Sequence, residues 1–182
     1  MKSFIKLFIL AISLLFYVQV VGAEEMKLEQ NKLSPEQVKN VKSDLNYLFQ
    51  KSITKIKDML EEDGDFYPFG AATFPSGKVK FVWVGDKSDT NKPKPELAIA
   101  VVRRALQANA VQNSLYSTGV YYVTGVENEK TGKLERQLVA ELEHHNGVAV
   151  VKVIQFKLVD GVLELGKGVE QDQQPRIYKT AE

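Results

Sequence analysis

Three hydrophobic patterns follow one another along this 182-residue chain. The first is a nearly continuous apolar run from Leu7 to Val18, behind Lys2 and Lys6 and ahead of Val21-Gly22-Ala23. A positive start, an apolar middle and small residues before Glu24 make the order of a secretory signal peptide. The run is shorter than the ~20 residues of a spanning helix, so residues 1–23 are expected to be cleaved rather than kept as an anchor. Residues 24–33 are polar and without period, which reads as a flexible leader.

The second pattern is helical. Ser34-Pro35-Glu36-Gln37 offers a cap, a proline for the first turn and a capping-box glutamine. Val38, Val41, Leu45, Leu48, Phe49, Ile53, Ile56, Met59 and Leu60 then recur at steps of three and four, predicting one long amphipathic helix that stops near Gly64. Phe66 to Phe74 and Lys78 to Val84 read as two short strands about Pro75-Ser76-Gly77, and 85–94 as a loop. Pro95-Glu96 opens a second helix toward Asn113. Its apolar arc is Leu97, Ala98, Val101, Val102, Ala105 and Ala108, opposite Arg103, Arg104 and Gln107.

The third pattern is strand-like and holds to the end. Val120 to Glu127, Leu134 to His145, Val148 to Val159 and Val162 to Lys167 are separated by Lys130-Thr131-Gly132, Asn146-Gly147 and Asp160-Gly161. Short turns join neighbours antiparallel, so the fold class is α+β: an antiparallel sheet of about six strands with two helices, order α-ββ-α-ββββ. One domain spans 34–167 and a polar tail spans 168–182.

Two-residue turns would fix the registers. About Asn146-Gly147, both with positive φ, Glu141 would face Lys152 and Glu143 would face Val150. About Asp160-Gly161, Lys157 would face Glu164. Leu138, Ala140 and Leu142 would then share one face with Val151 and Val153. Ile154, Phe156 and Leu158 would share the other with Leu163 and Leu165. Apolar patches on both faces require that the helices divide the faces, that a bulge in Val148 to Val159 swaps sides, or that another chain covers Ile154, Phe156, Leu158, Leu163 and Leu165 as a partner patch.

Composition narrows the function. Cleavage removes Lys2 and Lys6, leaving 22 basic against 23 acidic residues, a balance with no general attraction to nucleic acid or anionic membrane. Cysteine is absent, which excludes disulfides, a cysteine nucleophile and lipid attachment at a processed cysteine. Two histidines cannot supply a three-histidine metal site. Neither a Gly-x-Ser-x-Gly elbow nor a phosphate or dinucleotide glycine loop occurs. Glu61-Glu62-Asp63-Gly64-Asp65 is too short for a calcium loop and reads as an acidic helix end. The candidate chemistry is therefore Glu141, Glu143 and His145, alternating along one strand face, with Lys152 opposite. Such a set could transfer protons or hold a metal, but a solvated hairpin end is the simpler reading. His144 falls on the apolar side.

Two strings carry a resemblance. Phe66-Tyr67-Pro68-Phe69-Gly70-Ala71-Ala72, between an amphipathic helix and a Pro-Ser-Gly turn, and Glu143-His144-His145-Asn146-Gly147 resemble motifs of small uncharacterised bacterial proteins with a Phe-Tyr-Pro-Phe-Gly strand and a Glu-His-x-x-Gly hairpin. Gln155-Phe156-Lys157 departs from them, standing where a Pro-Tyr is expected. That group has no established activity, so the resemblance implies a fold and no catalytic residue. The expected protein is exported to the periplasm or the medium and binds a protein partner or its own copies. No metal, cofactor, nucleic acid or membrane enters after signal cleavage. An exported hydrolase or metal-dependent enzyme centred on Glu141, Glu143 and His145 is the alternative.

Overall fold

Ser34 caps the first helix through its hydroxyl, which accepts the Gln37 N–H at 3.2 Å, while Gln37 Oε1 accepts the Ser34 N–H at 2.8 Å. The helix, α1, spans Pro35–Asp63 and ends on Gly64, whose φ of 72° and N–H to the Leu60 carbonyl close the last turn. A computed structural model describes residues 33–85, 91–128, 132 and 134–178, with the backbone alone at Asn113. The expected signal peptide, nearly all of the leader, Lys130-Thr131 and the end of the tail lie outside the described residues. No helix of the described residues is long and apolar enough to cross a membrane.

The remaining elements are β1 (Phe69–Thr73), β2 (Val79–Trp83), α2 (Pro95–Asn113), β3 (Ser117–Glu127), β4 (Leu134–His144), β5 (Ala149–Val159) and β6 (Val162–Asp172). They form the α+β order read from the sequence. The six strands make one sheet, β2-β1-β3-β4-β5-β6, in which every neighbour pair is antiparallel. β1 is thus interior, not an edge. Pro68 avoids its ladders by standing just before the first strand residue.

The helices divide the two faces. Phe69, Tyr121, Leu138, Ala140 and Leu142 lie under α1 with Val41, Leu45, Leu48, Ile56 and Leu60. On the other face α2 packs Val102 and Leu106 over Ala72 and Val120. Gly70 permits this approach, since a Cβ there would stand 2.7 Å from Val102 Cγ1. The buried stripe of α2 is Ala98, Val102 and Leu106, rotated from the expected arc, so Leu97 and Val101 are exposed. The rotation brings Arg103 in toward the sheet.

The β4–β5 hairpin corrects the expected register by one residue. Glu143 stands opposite Ala149, Glu141 opposite Val151, and Lys152 opposite Ala140. Only Gly147 takes a positive φ, 81°, and Asn146 does not. His144 N–H bonds to the Val148 carbonyl at 2.8 Å, so His145, Asn146 and Gly147 form a three-residue loop closed by a glycine rather than a two-residue turn. A one-residue slip exchanges the faces. Val151 and Val153, expected beside Leu138, turn to the α2 face with Glu141, while Leu138 now faces Ile154 directly, so that Leu138, Ala140 and Leu142 join Ile154 and Phe156 beneath α1. Ile154 and Phe156 are buried there, while Leu158 and Leu163 are half-buried and Leu165 is exposed. Arg136 lies over the Phe156 ring at 4.9 Å and Glu61 accepts the Leu163 N–H at 2.9 Å. The expected partner patch is therefore largely covered by this chain's own helix.

The second hairpin keeps its expected register, Lys157 against Glu164, because Asp160 and Gly161 both take positive φ. A bulge follows, with two β6 residues between Leu165 and Gly168 against one β5 residue between Ile154 and Phe156. β6 continues past Lys167 to Asp172, and Ile177 beyond it is buried against α2.

Candidate functional site

The residues expected to form a solvated functional face are split by the corrected register. Glu141 and Glu143 point to the α2 face and are buried, at 5% and 1% exposure. Lys152 points to the α1 face, pairs with Glu170 at 2.9 Å and lies over the Phe49 ring at 5.0 Å. His145 sits in the exposed loop, its N–H on the Tyr116 carbonyl at 2.9 Å.

Both buried carboxylates are occupied. Glu141 takes Arg103 through Nε at 2.9 Å and Nη2 at 2.6 Å, Arg176 Nη1 at 3.2 Å and the Tyr122 hydroxyl at 3.0 Å. Burial, followed by the Glu141 charge, pushes the Tyr122 phenol up to about 12. Glu143 accepts three successive backbone N–H groups, from Arg176 at 2.9 Å, Ile177 at 2.7 Å and Tyr178 at 3.4 Å. It pins residues 176–178 as a strap across the α2 face. These carboxylates spend their lone pairs on arginines and amides, which leaves little for proton transfer or a metal. The acidic helix end is similarly used: Asp65 pairs with Arg136 at 2.7 Å and caps the Phe66 N–H at 2.9 Å.

His144 is buried on the α1 face. Its Nδ1 accepts the Asn146 N–H at 3.2 Å, so Nε2 carries the hydrogen toward Asp44 Oδ2 at 3.3 Å. Burial and the neighbouring His145 lower its affinity for a proton, and Asp44 partly opposes them.

The principal concavity lies elsewhere, where β2 and β3 end, β4 begins and the last turns of α1 overhang them. It encloses about 830 Å³. Met59, Phe66, Tyr67, Trp83 and Leu134 supply apolar wall. Lys55, Lys92 and Arg136 stand against Glu62, Asp63 and Asp65. Trp83 is the chain's only tryptophan, and it is 43% exposed. Its ring stacks on Phe69 with centroids 4.5 Å apart, and Phe69 stacks on Tyr121 at 5.1 Å. The β1 pairings force this ladder, because Phe69 stands between Trp83 and Tyr121 in register. Tyr67 is fixed by its hydroxyl on the Pro93 carbonyl, with Lys92 over its ring at 5.4 Å.

This cleft lies away from the hairpin residues Glu141, Glu143 and His145. The signals that could have found it were the Phe66-Tyr67-Pro68 string after an acidic helix end and the solitary tryptophan at the close of a short strand. Comparison with family models, with curated proteins and with solved structures finds no match to this chain.

Proposed function

We propose that this chain is an exported, non-enzymatic binding domain and that the cleft under the end of α1 is its recognition site, taking a small molecule. The Lys2-to-Ala23 pattern supports export. The observation that carries the binding reading is Trp83, left 43% exposed in a cleft of about 830 Å³. That volume falls within the range of small-molecule sites, which are mainly apolar with a few polar groups. Self-assembly through sheet edges has less support. β2 is five residues long and carries Lys80, and β6 has its Leu163 N–H taken by Glu61 and its line broken by a bulge. The enzyme reading has less support because Glu141 and Glu143 are buried and engaged.

Native mass spectrometry of the protein recovered from its own envelope or medium tests the reading. The expected species begins at Glu24 and carries a small-molecule adduct that Leu134→Glu, an exposed change in the cleft wall, removes. A bare protein that turns over ester or peptide substrates, with turnover abolished by Glu141→Gln, would overturn it.

A further inference from the structure

We infer that the ligand of this cleft is an uncharged molecule bearing a flat aromatic ring, which stacks on the open side of Trp83. The inference rests on the binding reading above and adds the chemistry of the ligand. Trp83 presents one side to Phe69 at 4.5 Å and an interplanar angle of 26°. Phe69 in turn lies 5.1 Å and 21° from Tyr121, which is fully buried. The ladder fixes the plane of the indole before any ligand arrives. Trp83 lines the cleft and is 43% exposed, and a ligand ring on its side away from Phe69 would become the next member of an existing offset stack. An immobile platform loses little side-chain freedom on binding, which favours affinity.

The charged residues decide the second property. Three bases and three acids line the cleft, and Arg136 and Asp65 are bound to each other at 2.7 Å. Arg136 also donates to the Gly64 carbonyl at 2.7 Å. A balanced rim produces no net field to draw an anion or a cation. Lys92 is held over the Tyr67 ring at 5.4 Å and Arg136 by Asp65, so a charged ligand would displace an existing contact or lose hydration against the apolar wall.

The test is fluorescence titration of the mature chain with N-phenyl-1-naphthylamine and with its sulfonated analogue, 8-anilino-1-naphthalenesulfonate, the two sharing one ring system. Decanol serves as an uncharged competitor without a ring. Trp83 is the only tryptophan, so its emission reports the cleft alone. The neutral naphthylamine should saturate at one molecule per chain and quench Trp83, and the sulfonate should bind at least tenfold more weakly. Trp83→Ala should weaken the naphthylamine about tenfold, as expected for loss of one aromatic stack. Trp83→Phe should bind within about threefold of wild type. Should Trp83→Ala melt too early to titrate, Leu134→Glu replaces it, with an expected loss of about tenfold.

Equal binding of the naphthylamine by wild type and Trp83→Ala would overturn the inference while leaving the binding reading intact. So would equal or tighter binding of the sulfonate, or displacement of the naphthylamine by decanol at matching concentration. No saturation by the naphthylamine in a protein that retains an adduct in native mass spectrometry would also sink the ring inference alone. No saturation together with a bare native protein would sink both.

Discussion

Replacing Glu143 by alanine should release the strap at residues 176–178. Glu143 is 1% exposed and is the acceptor for three consecutive N–H groups. If the strap stayed in place, those donors would be unpaired at about 1–3 kcal/mol each, about 3–9 kcal/mol together. Letting it go sacrifices the burial of Ile177, worth about 2 kcal/mol. It also loses two hydrogen bonds, Tyr178 hydroxyl to Leu115 carbonyl at 3.1 Å and Gln107 to the Arg176 carbonyl at 2.6 Å, worth about 1 kcal/mol each. Against this, three residues regain about 1–2 kcal/mol each of backbone freedom. Release is the cheaper outcome: about 4 kcal/mol given up against about 3–6 kcal/mol regained leaves a loss of no more than about 1 kcal/mol rather than the larger figure. Urea denaturation gives the loss, and hydrogen exchange at the amides of Arg176, Ile177 and Tyr178 gives the release. A chain ending at Gln173 completes a double-mutant cycle, in which Glu143 and the strap should couple by more than about 1.5 kcal/mol. Additive losses, or amides that keep their protection in Glu143→Ala, would refute the strap.

Acidification should weaken the fold through His144. Burial and His145 hold its proton affinity below the ordinary value of 6.5, with Asp44 partly opposing them. Below pH 6.5 the unfolded chain therefore binds more protons than the folded one, and stability is lost as pH falls from 6.5 toward the lowered folded value. Melting curves at pH 7.5 and 5.5 should show this loss in wild type and a smaller one in His144→Gln; equal losses would contradict it. Two glycines should respond differently to alanine: Gly147, with φ of 81° and open space around it, about 1 kcal/mol, and Gly70, whose new methyl would meet Val102 at 2.7 Å, about 1–3 kcal/mol with α2 displaced. A Gly70→Ala chain as stable as wild type would contradict the close packing of α2. Phe69→Ala should cost about 3–5 kcal/mol by chemical denaturation, since the ring is fully buried between Trp83 and Tyr121. Unchanged melting with lost ligand binding would make Phe69 a site residue instead of a support.

The elements were readable from local chemistry, but the faces were not. Ser34, Pro35 and Gln37 announced α1, and Asp160-Gly161 announced a tight turn whose register the structure keeps. Asn146-Gly147 carries the same signal yet forms a longer loop. His144 accepts the Asn146 N–H at 3.2 Å and the His145 N–H bonds to Tyr116 at 2.9 Å. Those contacts come from the tertiary fold and a dipeptide cannot encode them. One residue of slip then turned a solvated Glu141–Lys152 pair into a buried Glu141–Arg103 pair, joined Leu138 to Ile154 on one face and sent Val151 and Val153 to the other. The arc of α2 failed for a similar reason: Gly70 and Ala72 decide how the helix lies, and they are distant in sequence. The Phe66-Tyr67-Pro68 string and the solitary Trp83 hinted at the cleft, but its shape was not readable, because its walls come from α1, β2, β3 and β4 and only the register of β1 stacks Trp83 on Phe69.

The cleft beside Trp83 is the proposed recognition site. Nitrogen–proton correlation spectra of the mature chain, titrated with N-phenyl-1-naphthylamine, test it most directly, because one tryptophan gives one indole N–H signal. The expected result is a saturable shift of that signal together with the amides of Phe66, Tyr67, Gly125 and Leu134, while Glu141, Glu143 and His145 stay fixed. Shifts centred on the hairpin residues, with the Trp83 indole unmoved at saturation, would contradict it.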